Sequence, residues 1–377
     1  MHIFELNQDI LAEIISLTAR EDLIKLAATC HFAHDLCIPH IISTVRITRA
    51  PEYLVTCRIH NFCTFMLARW KERVHCLRHF SFNPAFLAQW PGDGSTFVFQ
   101  NETLKLLADV LDHAQNLESL EVQYCERLLL REPRIANALI RCARLTTISL
   151  DNISSNRLGQ LSIALMQELA GIRHINLGLT HSNLTAVLSA SHSTLESVSF
   201  EEMFSRFRGL SDDGLEWPYV RQLKVRIHPS TALNISRAFP NVRELCVDGD
   251  KHRIIQVQRE MSCKSWTELD YVEGPMPALY LLGLASHIRE LRIPYSLTHG
   301  EHQQTGFGSM SRTNAFLDLV RIANPETLSF AVDLRSKLAD ITFFRELAQV
   351  APLLNFLAIS VTYSITVIHN LVCTVNC

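Results

Sequence analysis

The chain has 377 residues, 47% of them hydrophobic and 19% charged, with a formal net charge of −3. That length exceeds one ordinary compact core, so several domains or a stack of repeats is expected, and the apolar fraction excludes a mainly disordered chain. The mild acidity argues against nucleic-acid binding by broad phosphate neutralisation, and no basic run suited to a membrane surface occurs.

The first 45 residues read as three short helices. Asn7 is placed to cap a helix carrying Ile10, Leu11, Ile14 and Ile15 on one apolar face. Thr18-Ala19-Arg20-Glu21 has the spacing of a capping box and should restart a helix bearing Leu23, Leu26 and Ala27. A third, weaker helix runs from His31 to Ile42 and should be interrupted near Pro39.

Beyond these helices a six-residue pattern, apolar-x-x-apolar-x-apolar, recurs with a helix-like stretch before nearly every copy. Copies start at Leu77, Leu117, Leu145, Ile172, Leu195, Val220, Val242, Trp266, Ile288, Pro325 and Leu354. The steps from Leu117 to Ile288 all lie between 22 and 28 residues, which is the period of a leucine-rich repeat. Glu102 to Gln115, Ile135 to Arg144, Ser230 to Phe239 and Asn314 to Ala323 read as the amphipathic helices between copies. The expected class is therefore α/β: a helical segment over residues 1–45, then a curved solenoid of about ten or eleven strand–helix units over 46–377. An ordinary α/β enzyme with parallel strands would share the same alternation.

The sequence from Tyr363 to Cys373 lacks the polar chemistry that closes a solenoid, so the chain is expected to stop on an apolar edge, as a truncated terminus would. Ala351 to Cys373 is also long enough to cross a bilayer. Yet it holds Pro352, Asn355, His369 and Asn370 and has no flanking Lys or Arg anchor, so no membrane association is expected.

Chemistry-bearing motifs are scarce. Gly306-Phe307-Gly308 follows no apolar strand, and His299-Gly300-Glu301-His302 does not place its histidines one helical turn apart. Eleven cysteines without a C-x-x-C pair, several beside apolar neighbours (Cys142, Cys246, Cys263), read as small buried hydrophobes of a protein kept inside the cell. No signal peptide is read at the N-terminus, and a cytoplasmic or nuclear location follows as the expectation. No metal, no cofactor and no catalytic constellation is expected.

The order Phe4 to Ile15 followed by Asp22 to Phe32, with its Leu23-x-x-Leu26-x-x-x-Cys30 segment and aromatic Phe32, resembles the F-box. Asn7 stands where that family usually has proline, and Ile42 to Ile47 looks like the first strand that follows many fungal F-boxes. An F-box ahead of leucine-rich repeats resembles the substrate receptors of cullin–RING (SCF-type) ubiquitin ligases. The resemblance implies that the N-terminal helices dock on a Skp-family adaptor of the cullin complex while the repeats hold the target protein, with no catalysis by the receptor itself. On that resemblance the adaptor-facing residues are Leu6, Asn7, Ile10, Leu11, Ile14, Leu23, Leu26 and Cys30. A plain helical cap on a repeat scaffold with no ligase link is the competing expectation.

Side chains alternate along a strand, so the residue between the last two apolar positions of each copy points away from the core. Those positions are mostly small and neutral in early copies (Ser81, Ser149, Asn176, Ser199) and charged later (Lys224, Asp270, Arg292). With Glu201, Arg226 and Asp248 they form the expected target-binding face, with Lys224, Arg226 and Arg292 receiving acidic or phosphorylated groups.

Overall fold

The structure is a computed structural model. It describes residues 6–47, 52–83, 88–89, 98–99, 101–123, 125–153, 160–179, 184–200, 215–226, 232–248, 266, 268–282, 284, 287–296, 312–333, 341–362 and 371–376. The expected loops at 91–95 and 299–311, together with Glu201 and Cys263, lie outside these residues. The chain divides into two compact units, Met1–Gly178 and Leu179–Cys377. Each alternates parallel strands with helices, which is the expected α/β class.

The first unit opens with α1 (Gln8–Leu17), α2 (Arg20–Ala27) and α3 (His31–Ser43). Asn7 caps α1 as its sequence position predicts, its side-chain oxygen accepting from the Asp9 backbone N–H at 3.1 Å. The capping box does not form. The Thr18 hydroxyl donates back to the Ile14 carbonyl at 2.6 Å instead, so α2 starts behind Ala19 without a side-chain cap. Nor does Pro39 interrupt α3, which runs through it to Ser43. Ile15, Leu23 and Cys37 form a small core from all three helices, with Leu26, Ala27, Leu36 and Ile41 packed against it.

The strand–helix region begins at once with β1 (Thr44–Ile47), followed by α4 (Glu52–Ala68), α5 (Trp70–Arg73) and β2 (His79–Phe82). Two antiparallel two-residue strands, β3 (Ala88–Gln89) and β4 (Val98–Phe99), precede α6 (Asn101–His113). Then come β5 (Ser119–Val122), α7 (Cys125–Arg131), α8 (Arg134–Arg141), β6 (Thr147–Ile153), α9 (Gln160–Glu168) and β7 (His174–Leu179). Strands β1, β2, β5 and β6 pair in parallel, in that order. A parallel sheet requires a crossover between neighbours, and the helices supply it. In several repeats one carbonyl just ahead of the strand accepts from two N–H groups of the next repeat. The Arg78 carbonyl, for example, accepts from Glu118 and Ser119 at 2.8 and 2.9 Å.

Glu126, on α7, is the odd residue of this unit. It is only 3% exposed, one oxygen accepts from the Ser162 hydroxyl at 2.8 Å, and the other has no hydrogen-bond partner among the described residues. Burial pushes its carboxyl above the ordinary glutamate value, although the Ser162 bond works the other way. The folded state therefore binds the proton more tightly than the unfolded chain. Stability falls as pH rises from the ordinary glutamate value through the raised one. Glu126→Gln should stabilise the protein by about 1 kcal/mol at pH 8 and by less at pH 5. Urea denaturation at the two pH values checks this, and an equal effect at both would show that the carboxyl does not titrate differently on folding.

The second unit contains α10 (Leu184–Leu188), β8 (Ser197–Phe200), β9 (Gln222–Arg226), α11 (Ala232–Ala238), β10 (Glu244–Asp248), β11 (Glu268–Glu273) and α12 (Met276–Leu281). Then follow β12 (His287–Ser296), α13 (Arg312–Ala323), β13 (Thr327–Asp333), α14 (Ile341–Val350), β14 (Phe356–Thr362) and β15 (Leu371–Asn376). Strands β8 to β14 are neighbours in sequence order, each pair parallel. The last strand departs from the expected bare edge: β15 turns back and pairs antiparallel with β14, Phe356 opposite Asn376 through Val361 opposite Leu371. Its backbone meets the edge groups that β14 would otherwise leave unpaired.

One repeat is framed differently from its sequence pattern. Leu245 of β10 pairs with Val272 and Cys246 with Glu273, while Leu269 pairs with Ile288 of β12. The six-residue pattern in β11 thus begins at Leu269 and ends on Gly274, three residues beyond the start at Trp266. Trp266 takes an additional apolar position three residues earlier, which Trp217 fills ahead of Val220. Both tryptophans are buried, and their indole N–H groups donate to the carbonyls of Phe239 (2.6 Å) and Leu188 (3.3 Å), respectively. Gly274 closes the pattern because a Cβ there would lie 2.9 Å from both the Val247 carbonyl oxygen and its Cβ.

Candidate functional site

Two surfaces collect the expected functional residues, one in each unit. On the N-terminal helices the apolar residues divide by helical phase. Leu11, Ile15 and Leu23 are buried; Leu6, Ile14 and Leu26 are half-buried. Asn7 and Cys30 are exposed, and both are helix caps: the Cys30 sulfur accepts from the Ala33 N–H at 3.4 Å. Leu11 and Leu23 are therefore core residues, because the 3.6-residue period turns them inward with Ile15. Ile10 and Ile24, each one residue away, rotate by about 100° to the outside.

Four large apolar side chains remain outside: Ile10 at 50% exposed, Leu17 at 78%, Ile24 at 50% and Phe32 at 48%. Sequence reasoning placed only Ile10 among the contact residues. The signal for the others was present, since each is an apolar residue out of phase with its helix's core stripe.

On the strands, the outward positions of the first unit are tied to one another. Ser81 donates to Glu121 at 2.8 Å, Asn83 to Gln123, and Asn176 to Ser149 at 3.2 Å. The second unit carries the charged face. Lys224 is exposed and Arg226 half-buried, and Asp248 stands opposite Arg226 in the strand register. Arg292 is exposed, with a guanidinium nitrogen 3.9 Å from Glu273.

Asp270 does not belong to this row. Its backbone N–H donates to the Arg243 carbonyl at 2.8 Å, one residue ahead of the pairing of β11 with β10, and its carboxylate lies 3.8 Å from Arg289. The residue in the row is Glu273, and Tyr271 stands beside Glu244 and Glu290. Trp266 misled the sequence reading, because it supplies an apolar residue one triplet too early.

The Tyr271 hydroxyl donates to Glu273. Burial, then this bond, pushes the phenol up to about 12. The Cys246 thiol, half-buried between Lys224 and Glu273 in the register, is also raised, by burial and then by Glu273, and so stays protonated. Among the described residues no three His, Cys, Asp or Glu side chains gather as a metal site, and no helix is long and apolar enough to cross a membrane. Where described, Ala351 to Cys373 includes strands β14 and β15 and no helix. No family model matches the sequence, and neither does any curated protein.

Proposed function

We propose that the protein is a non-enzymatic substrate receptor of an SCF-type ubiquitin ligase. In this reading its N-terminal helices dock on a Skp-family adaptor and its outward strand face holds the target protein. The observation that carries it is the set of exposed apolar side chains on three consecutive short helices whose own core is already complete without them. Ile10, Leu17, Ile24 and Phe32 leave more apolar surface in water than so small a helical segment needs for itself. Truncating a central anchor among such side chains commonly costs an interface about 2 kcal/mol or more. The resemblance of residues 4 to 45 to the F-box names the partner, and the strand–helix alternation that follows supplies a broad polar face for a target.

The test is capture of purified Skp-family adaptor by the full chain and by Ile10→Glu/Ile24→Glu. Both side chains are exposed, so the double variant should keep its helical signal and thermal midpoint while losing adaptor capture. Failure of the wild-type chain to bind the adaptor, or undiminished binding by the folded variant, would overturn the reading and leave a repeat scaffold.

A further inference from the structure

We infer that the outward strand face of the second unit receives a basic polypeptide segment, one lysine or arginine side chain lying over the Tyr271 ring between Glu244 and Glu290. This rests on the receptor reading and names the class of target that its strand face selects.

Strand register sets Glu244, Tyr271 and Glu290 side by side on β10, β11 and β12. Neighbouring strands lie about 4.8 Å apart, so the backbones of the two glutamates stand roughly 10 Å apart on either side of Tyr271. That span suits a guanidinium or ammonium group, attracted by the ring face and by a carboxylate on either side.

The ring is held in place from the next row. Its hydroxyl donates to Glu273, which also faces Arg292 at 3.9 Å. Arg292 thus has its charge compensated within the face and is poorly placed to receive an acidic or phosphorylated group. Arg292 also bonds the Tyr271 hydroxyl and lies within electrostatic reach of Glu290. Glu244 is less compensated: it accepts an amide hydrogen bond from Gln222, at 3.0 Å, and has no ion pair among the described residues. On β9 the row continues with Gln222, and Lys224 stands in the next row opposite Cys246, diagonal to Glu244, where its charge opposes a basic segment.

Fluorescence anisotropy of the full chain with three labelled peptides of equal length tests this: arginine–glycine, glutamate–glycine and phosphoserine–glycine repeats. The arginine peptide should bind best. Glu244→Gln/Glu290→Gln should weaken it by about tenfold or more, whereas Glu13→Gln/Glu21→Gln, which removes the same charge from the N-terminal helices, should not. Lys224→Glu should strengthen it, which keeps the test informative should the double Gln variant fold poorly. Preference for either anionic peptide, equal loss in the two double variants, or no response to Lys224→Glu would each overturn the inference. No adaptor enters this assay, so its failure is separate from any failure of adaptor capture.

Discussion

Trp217→Ala should lower the stability of the second unit by about 3 to 5 kcal/mol, the range for emptying a buried aromatic site. Trp217 is fully buried, with its ring 5.4 Å from Phe239 and 6.5 Å from the His192 ring. Truncation removes these contacts and also strands the Leu188 carbonyl, which accepts the indole N–H at 3.3 Å. Trp217→Phe separates the two losses. It keeps most of the ring and forfeits the hydrogen bond, so it should cost about 1 to 2 kcal/mol. Urea denaturation followed by circular dichroism reads both variants without depending on the indole signal. A loss below about 1 kcal/mol for the alanine variant would show that the site collapses around the gap.

The double variant Leu11→Ala/Leu23→Ala should unfold the N-terminal helices rather than spoil a contact surface. Both side chains are buried, and a single buried Leu→Ala change costs about 2 to 5 kcal/mol. The two belong to one small segment, whose core has few other members to hold it together. Limited proteolysis with hydrogen exchange should show rapid exchange and cleavage in residues 8–43 while the strands from β5 onward stay protected. Loss of adaptor capture in this variant would therefore say nothing about where the adaptor sits. Ile10→Glu/Ile24→Glu is the informative variant, since its substitutions lie outside the core. Continued protection of residues 8–43 in the alanine variant would mean that the helices draw their stability from elsewhere.

These two pairs show where sequence reasoning succeeds and where it stops. The helical period around Ile10 to Ile15 announces an amphipathic helix, and Asn7 announces its start; both are present. The period alone does not say which apolar residue of an adjacent pair turns inward, because Ile10 and Leu11 are equally apolar and the segment is short. Only the tertiary structure assigned Leu11 to the core and Ile10 to the surface. The capping box at Thr18 failed for a related reason. A local hydrogen bond from Thr18 to Ile14 closes α1 and competes with capping α2.

The sequence by itself determined the strand–helix alternation, because apolar spacing and period are local properties of the chain. It also determined most of the outward row, including Lys224, Arg226, Asp248 and Arg292. What only the tertiary structure decided is the frame of β11, and with it the charge character of the face. Trp266 and Leu269 both fit the first apolar position, and the register against β10 and β12 chose Leu269. That shift replaced Asp270 by Glu273, placed Tyr271 between two glutamates, and supplied Arg292 with a carboxylate of its own. Pairing between strands is a long-range property: the backbone ladder and the burial of both tryptophans fix it together, and no window of sequence around Trp266 contains either.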